Sequence, residues 1–130
     1  MVRPVEGATG DGFGAPRPGG RKHLGLDIIA PAGRPIHAAR AGKVVKRGYD
    51  VGAGNHVNLR HPDGMVTKYF HMSRYEARDG ADVGGGQVIG YVGSTGHSSG
   101  PHLHFEVWVN GVAVDPAPYL AGAGAGTVSV

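Results

Sequence analysis

The chain has 130 residues, 40% of them apolar and 18% charged, with a formal charge of +3; this is enough for one domain with a real core and too apolar for a disordered segment. It contains no cysteine, which excludes disulfides, thiolate metal sites and a cysteine nucleophile. Its Lys and Arg residues form no stripe interleaved with aromatics, which argues against nucleic acid, and no apolar run approaches the roughly 20 residues that cross a bilayer.

With 25 glycines and 9 prolines, short strands and tight turns are favoured over long helices. Residues 1–22, containing TGDGFGAPRPGGRK, read as an extended loop. They lack the apolar stretch of a secretory leader, so the chain is expected to be a trimmed domain or to reach its target by another route. A short apolar strand follows at Leu24–Ile29, with further strands near Ile36–Ala38 and Lys43–Tyr49. The turn signal PDG at 62–64 predicts a β-hairpin over 56–72. MSRYEARDG, 72–80, is the one segment expected to form a helical turn. Strands at 86–93 and 102–109 come next, and AGAGAGTVSV, 121–130, reads as a flexible linker or a frayed end. The expectation is an all-β, mainly antiparallel single domain over 1–120, with little or no helix.

The chain has 8 histidines, and their spacing decides which of them could form a site. In the strand HLHFEVWV, Leu103, Phe105, Val107 and Val109 share one face, and His102, His104, Glu106 and Trp108 share the other. The first face is expected in the core, which leaves two imidazoles about 6.6 Å apart along the strand on the second. They could converge on a metal or simply line a solvated face. In HLGLD, His23 and Asp27 are too far apart for one ion if the chain is straight, because four extended residues span about 13 Å. Gly25 permits the bend that would make them co-ligands. Two imidazoles plus a carboxylate, with one position open, suit zinc. His71, in KYFHM, alternates with Tyr69 on one face, opposite Val66, Phe70 and Met72. It faces the His102 groove or is an ordinary hairpin histidine. His37, His56 and His61 read as surface or hydrogen-bonded histidines, and the loop position of His97 offers a contact to substrate.

In order along the chain, GFG, HLGLDIIAPAGRPI, AGKVVKRGY, GNHVNLRHPDG, KYFHM, GSTGHSSGPHLHFEV and VDPAPYL resemble the lysostaphin-type, or LytM-like, zinc endopeptidases of peptidase family M23. The resemblance implies that His23, Asp27 and His104 are Zn2+ ligands and that His71 and His102 are the two catalytic histidines beside the metal. Some members carry a tyrosine shortly before the first histidine, whereas PRPGGRK has none. Tyr69 or Tyr49 could substitute, and the role is left unassigned.

The resemblance further implies metal-assisted hydrolysis of peptide cross-links or stem peptides of bacterial peptidoglycan, in a groove floored by the sheet and walled by loops. The expected setting is extracellular, at the cell wall, as a module of a phage endolysin or tail lysin or of a secreted autolysin. The chain is expected to be monomeric, without nucleic acid or membrane insertion. Two other readings fit parts of the pattern. A non-catalytic LytM-like domain that activates a cell-wall amidase would lack some ligands, and none is missing here. A cupin motif would need a glutamate four or five residues after His104, where Trp108 and Val109 stand. Glu106 comes too early and reads as a support for the site or as a surface residue.

Overall fold

The computed structural model describes residues 1–120; the Ala/Gly segment read above as a linker lies outside them. The strands are β1 (Ala8–Thr9), β2 (Leu26–Ile29), β3 (Pro35–His37), β4 (Gly42–Asp50) and β5 (Gly54–Arg60), then β6 (Val66–Tyr75), β7 (Asp82–Val83), β8 (Val88–Val92), β9 (His102–Val109) and β10 (Val112–Val114). They form one antiparallel sheet in the order β1-β2-β9-β6-β5-β4-β7, with β10 on β9 and with β8 joining β3 to the end of β6. The all-β expectation holds. Among the described residues the helical pieces are a turn at Pro18–Gly20 and a four-residue helix, α1 (Ala117–Leu120).

Alternation sorts β9 as expected. Leu103, Phe105 and Val107 are fully buried and join Ile28, Val57, Leu59 and Tyr69 in one core cluster. Burying each such side chain stabilises the fold by about 1.5–3 kcal/mol. The opposite face of β9 carries His102 and His104, and pairing with β2 sets Asp27 directly across from His104. On the other side β6 pairs with β9, with Tyr69 across from Phe105 and Phe70 across from His104. The site is therefore built on three adjacent strands.

Three segments depart from the sequence reading. β6 does not turn helical after Met72: Arg74 and Tyr75 pair with Tyr91 and Gly90 of β8, and sheet pairing overrides local propensity. An unanticipated strand, β10, follows β9 through Asn110 and Gly111, both at positive φ. Asn-Gly is the signature of a two-residue hairpin turn, so the signal was present in the sequence. Finally, residues 1–22, read as an extended loop, carry a short strand and are tied to the sheet. Val2 and Val5 are buried, β1 pairs with β2, and Pro16 bridges to Lys22.

Candidate metal centre and its groove

Three donor atoms meet where β2 pairs with β9. His23 Nε2, His104 Nδ1 and Asp27 Oδ1 each lie 3.0 Å from the other two. His23 sits on the segment entering β2, as the bend at Gly25 allows. That segment crosses β9 so closely that a Cβ on Gly25 would collide with the Phe105 carbonyl oxygen and come within 3.0 Å of His104 Cε1.

The remaining ring nitrogens show which atoms carry protons. His23 Nδ1 donates to Gly12 O at 2.9 Å, and His104 Nε2 donates to Glu106 Oε2 at 2.7 Å. Their other nitrogens therefore present lone pairs, so three acceptors face one another with no donor among them. A cation must occupy the space between. A proton can do so, and the His104 pKa shows its pull: burial lowers it, but the carboxylates of Asp27 and Glu106 outweigh burial and raise it above the ordinary histidine value. Burial likewise raises Asp27, but hydrogen bonding to His104 and the surrounding imidazoles bring it below the usual carboxylate range.

A metal ion also fits the same space. The set is two imidazole nitrogens and a carboxylate oxygen, and donors on one tetrahedral zinc at about 2.0–2.1 Å would stand about 3.3 Å apart, close to the spacing observed. His23, Asp27 and His104 thus form a group able to hold a metal ion. Glu106, left open above, is buried. It grips His104 through Oε2 while Oε1 accepts a 2.7 Å bond from Trp108 Nε1. A carboxylate behind a ligating imidazole fixes its tautomer and raises its basicity. Phe70, whose ring lies 5.0 Å from that of His104 at 27°, holds the imidazole plane.

His71 and His102 stand beside the cluster with ring centroids 4.8 Å apart. His102 Nδ1 donates to Gly100 O at 2.8 Å, and its Nε2 lies 3.8 Å from Asp27 Oδ1. His71 Nδ1 donates to Thr95 O at 2.7 Å. Burial, against the pull of that carbonyl, pushes the His71 pKa down to about 4, so its Nε2 carries no proton near neutral pH.

His71 reaches the site by breaking the strand rule. Its φ is 67°, and the register between β5 and β6 slips at this point. Alternation would have put it on Tyr69's side; the left-handed residue returns it to the face of Phe70. The expected pairing of Tyr69 with His71 is therefore overturned. Tyr69 is fully buried, with its hydroxyl bonded to Ala39 N and Thr67 Oγ1, and cannot serve the site. Tyr49 is exposed at the end of β4, beside His97 and Ser98 rather than at the donor cluster.

A groove of about 790 Å³ opens over these residues. Its lining includes all five predicted site residues, with Phe70, His97 and Arg17. The guanidinium of Arg17 lies 3.9 Å from Asp27 Oδ2 and 3.1 Å from Asp11 Oδ2; nothing in the sequence spacing pointed to it. His37 and His56 bond backbone carbonyls, and His61 is enclosed in a separate buried network.

A sheet with a His/His/Asp cluster and two further imidazoles on the floor of an open groove is the architecture of a β-sheet metallopeptidase domain. The chain belongs to peptidase family M23, whose family model matches residues 21–116. It is 47% identical over 96 residues to the DD-carboxypeptidase/endopeptidase Mpg of Neisseria meningitidis and 45% identical over 96 residues to the peptidoglycan DD-endopeptidase ShyC of Vibrio cholerae. Each alignment covers 74% of this chain and 22% of the relative, so the chain spans about a fifth of the length of these curated relatives. The catalytic domain of lysostaphin from Staphylococcus simulans superimposes with a TM-score of 0.82 at 38% identity, over 88% of this chain and 92% of that one. A zinc-containing peptidase from Vibrio cholerae gives 0.81 at 35% identity, over 86% and 37%.

Proposed function

We propose that the chain is the catalytic module of a zinc-dependent endopeptidase that hydrolyses peptide cross-links or stem peptides of bacterial peptidoglycan. The observation that carries the proposal is the meeting of three lone pairs, on His23, Asp27 and His104, at 3.0 Å, beside two imidazoles that spend Nδ1 on backbone carbonyls and keep Nε2 for the groove. Zinc bound to such donors polarises a carbonyl and lowers the pKa of water from about 15.7 towards about 7.

The other parts of the reaction fall to the chain's own residues. His71, kept unprotonated by burial, accepts a proton at Nε2. His102, its ring centroid 4.8 Å away, takes that proton on at its own Nε2 and passes it to the leaving amine, as general acid–base catalysis requires. Glu106 and Phe70 hold His104 in one orientation, and the Asp27 carboxylate offsets part of the ion's charge. The substrate class is supported by the relatives' names, ShyC being a peptidoglycan DD-endopeptidase, and by a net charge of +3 that favours approach to an anionic wall. In this reading residues 1–120 are a monomeric M23 module of a longer wall-acting protein, working outside the cytoplasm or delivered by phage.

Mass spectrometry of fragments released from purified peptidoglycan, with and without a chelator, tests the proposal. Peptides with new amino termini, released only without chelator, are the expected result. A zinc-loaded protein that releases nothing from several wall types would instead support a non-catalytic amidase activator.

A further inference from the structure

The two walls of the groove differ in charge. One is a small hairpin at residues 16–22. Pro16 bridges to Lys22, Arg17 N donates to Arg21 O at 2.9 Å, and Pro18–Gly20 forms the turn. Gly19 and Gly20 both have positive φ, at 78° and 76°, so this tight reversal depends on the Gly-Gly pair. The reversal sets Arg17 and Arg21 opposite each other with Lys22 adjacent, and all three line the groove.

Their partners are few. Arg17 is held by Asp11 at 3.1 Å. Arg21 spends Nε on the Pro18 carbonyl at 3.3 Å, and among the described residues neither Arg21 nor Lys22 pairs with a carboxylate. The facing wall, from the β4–β5 turn and the 97–99 loop, offers Asp50, His97, Ser98 and Ser99. Asp50 is exposed, although it accepts a 2.7 Å bond from Ala53 N and lies 3.7 Å from His56. An extended peptide in the groove would thus meet net positive charge on the hairpin side and, on the other, the Asp50 carboxylate among neutral polar groups.

We propose that the Arg17–Lys22 hairpin is a subsite for a substrate carboxylate, through Arg21 and Lys22, so that the groove selects carboxylate-bearing stem peptides over neutral glycine-only bridges. The proposal rests on the peptidase reading for the identity of the ligand. The chemistry is that of a guanidinium and an ammonium converging on a carboxylate, with charge-assisted hydrogen bonds. Both groups are exposed, so the preference weakens as salt rises.

The test uses the zinc-loaded chain and three probes: a stem-peptide dimer with free carboxylates, the same dimer with its carboxylates amidated, and pentaglycine amide. Binding is measured by calorimetry and cleavage by chromatography, for the wild type and for the double variant Arg21→Gln/Lys22→Gln. The wild type should bind the carboxylate dimer about tenfold more tightly than the amidated one, the scale of a charge-assisted contact. In the double variant the ratio should fall to about twofold or less. Equal wild-type affinities, or a preference that survives the double substitution, would overturn the subsite. Cleavage reports separately. A carboxylate preference without cleavage of any probe would leave the subsite standing and defeat the peptidase reading, and cleavage without preference would do the reverse.

Discussion

Two buried histidine networks lie on opposite faces of this sheet, and their difference shows what makes a site. In the core, Ala39 N–H donates to the Tyr69 hydroxyl, Tyr69 to Thr67, Thr67 to His61 Nε2, and His61 Nδ1–H to the Ala41 carbonyl, over distances of 2.8–3.0 Å. Each proton in that chain has an acceptor, and the network closes on itself. On the other face, His23 and His104 are just as tightly held from behind, by Gly12 and Glu106, and meet the Asp27 carboxylate in front. Their front atoms, however, are three acceptors facing one another. Burial and hydrogen bonding are common to both networks, so neither marks function. An excess of lone pairs with no donor does, because it demands a cation.

The largest effect should come from removing a lone pair on the open side. His104→Ala is expected to abolish tight zinc binding and to lower peptidase turnover by about a thousandfold or more. A variant that still holds one zinc per chain by elemental analysis would break the contrast. Next, His102→Ala should keep its zinc and lose about a hundredfold or more in kcat, the usual scale of a positioned acid or base; near-normal turnover would remove His102 from the reaction. Glu106→Gln acts from behind. It leaves the donor set intact but weakens the hold on the His104 tautomer, so zinc affinity should fall by about 10–100-fold. Competition with a chromogenic chelator measures this, and unchanged affinity would make Glu106 a packing residue only.

The same contrast explains how much could be read from the sequence. The core side was legible because strict alternation governs it: Leu103, Phe105 and Val107 are buried as the pattern requires. The shared face of His102 and His104 followed from the same period. The expectation that His23 bends towards Asp27 rested on Gly25, where the structure adds a second reason, the close passage over Phe105. His71 was not legible by period, since a left-handed residue and a register slip turn it over. Phe70 does lie opposite Tyr69, as alternation requires, but it is Phe70 and not Tyr69 that faces the site. Arg17 reaches Asp27 only because the Gly19–Gly20 turn folds its hairpin across the groove, a tertiary fact that no spacing along β2 encodes.

The smallest predicted effect concerns the closed network and sharpens the comparison from the other side. Burial pushes the His61 imidazole below its ordinary value, against the opposing pull of the Ala41 carbonyl. An unfolded chain accepts that proton near pH 6.5, roughly the ordinary value, while the folded chain refuses it. Below that pH the unfolded state therefore binds more protons, and stability falls as pH drops from about 6.5 towards the folded value, with a slope of at most about 1.4 kcal/mol per pH unit for one group. His71, held down to about 4, contributes with the same sign in the same window, so the wild-type slope alone does not isolate His61. His61→Asn does. It keeps a donor for Ala41, cannot titrate, and leaves the Thr67 hydroxyl without its acceptor, at a cost of about 1–2 kcal/mol near neutral pH. Urea unfolding of both metal-free proteins below neutral pH should show the variant less stable near pH 7 but with a shallower loss on acidification, and its zinc affinity should match the wild type. An unchanged slope would mean that His61 takes up its proton as readily folded as unfolded; a changed zinc affinity would mean that the two faces of the sheet are coupled.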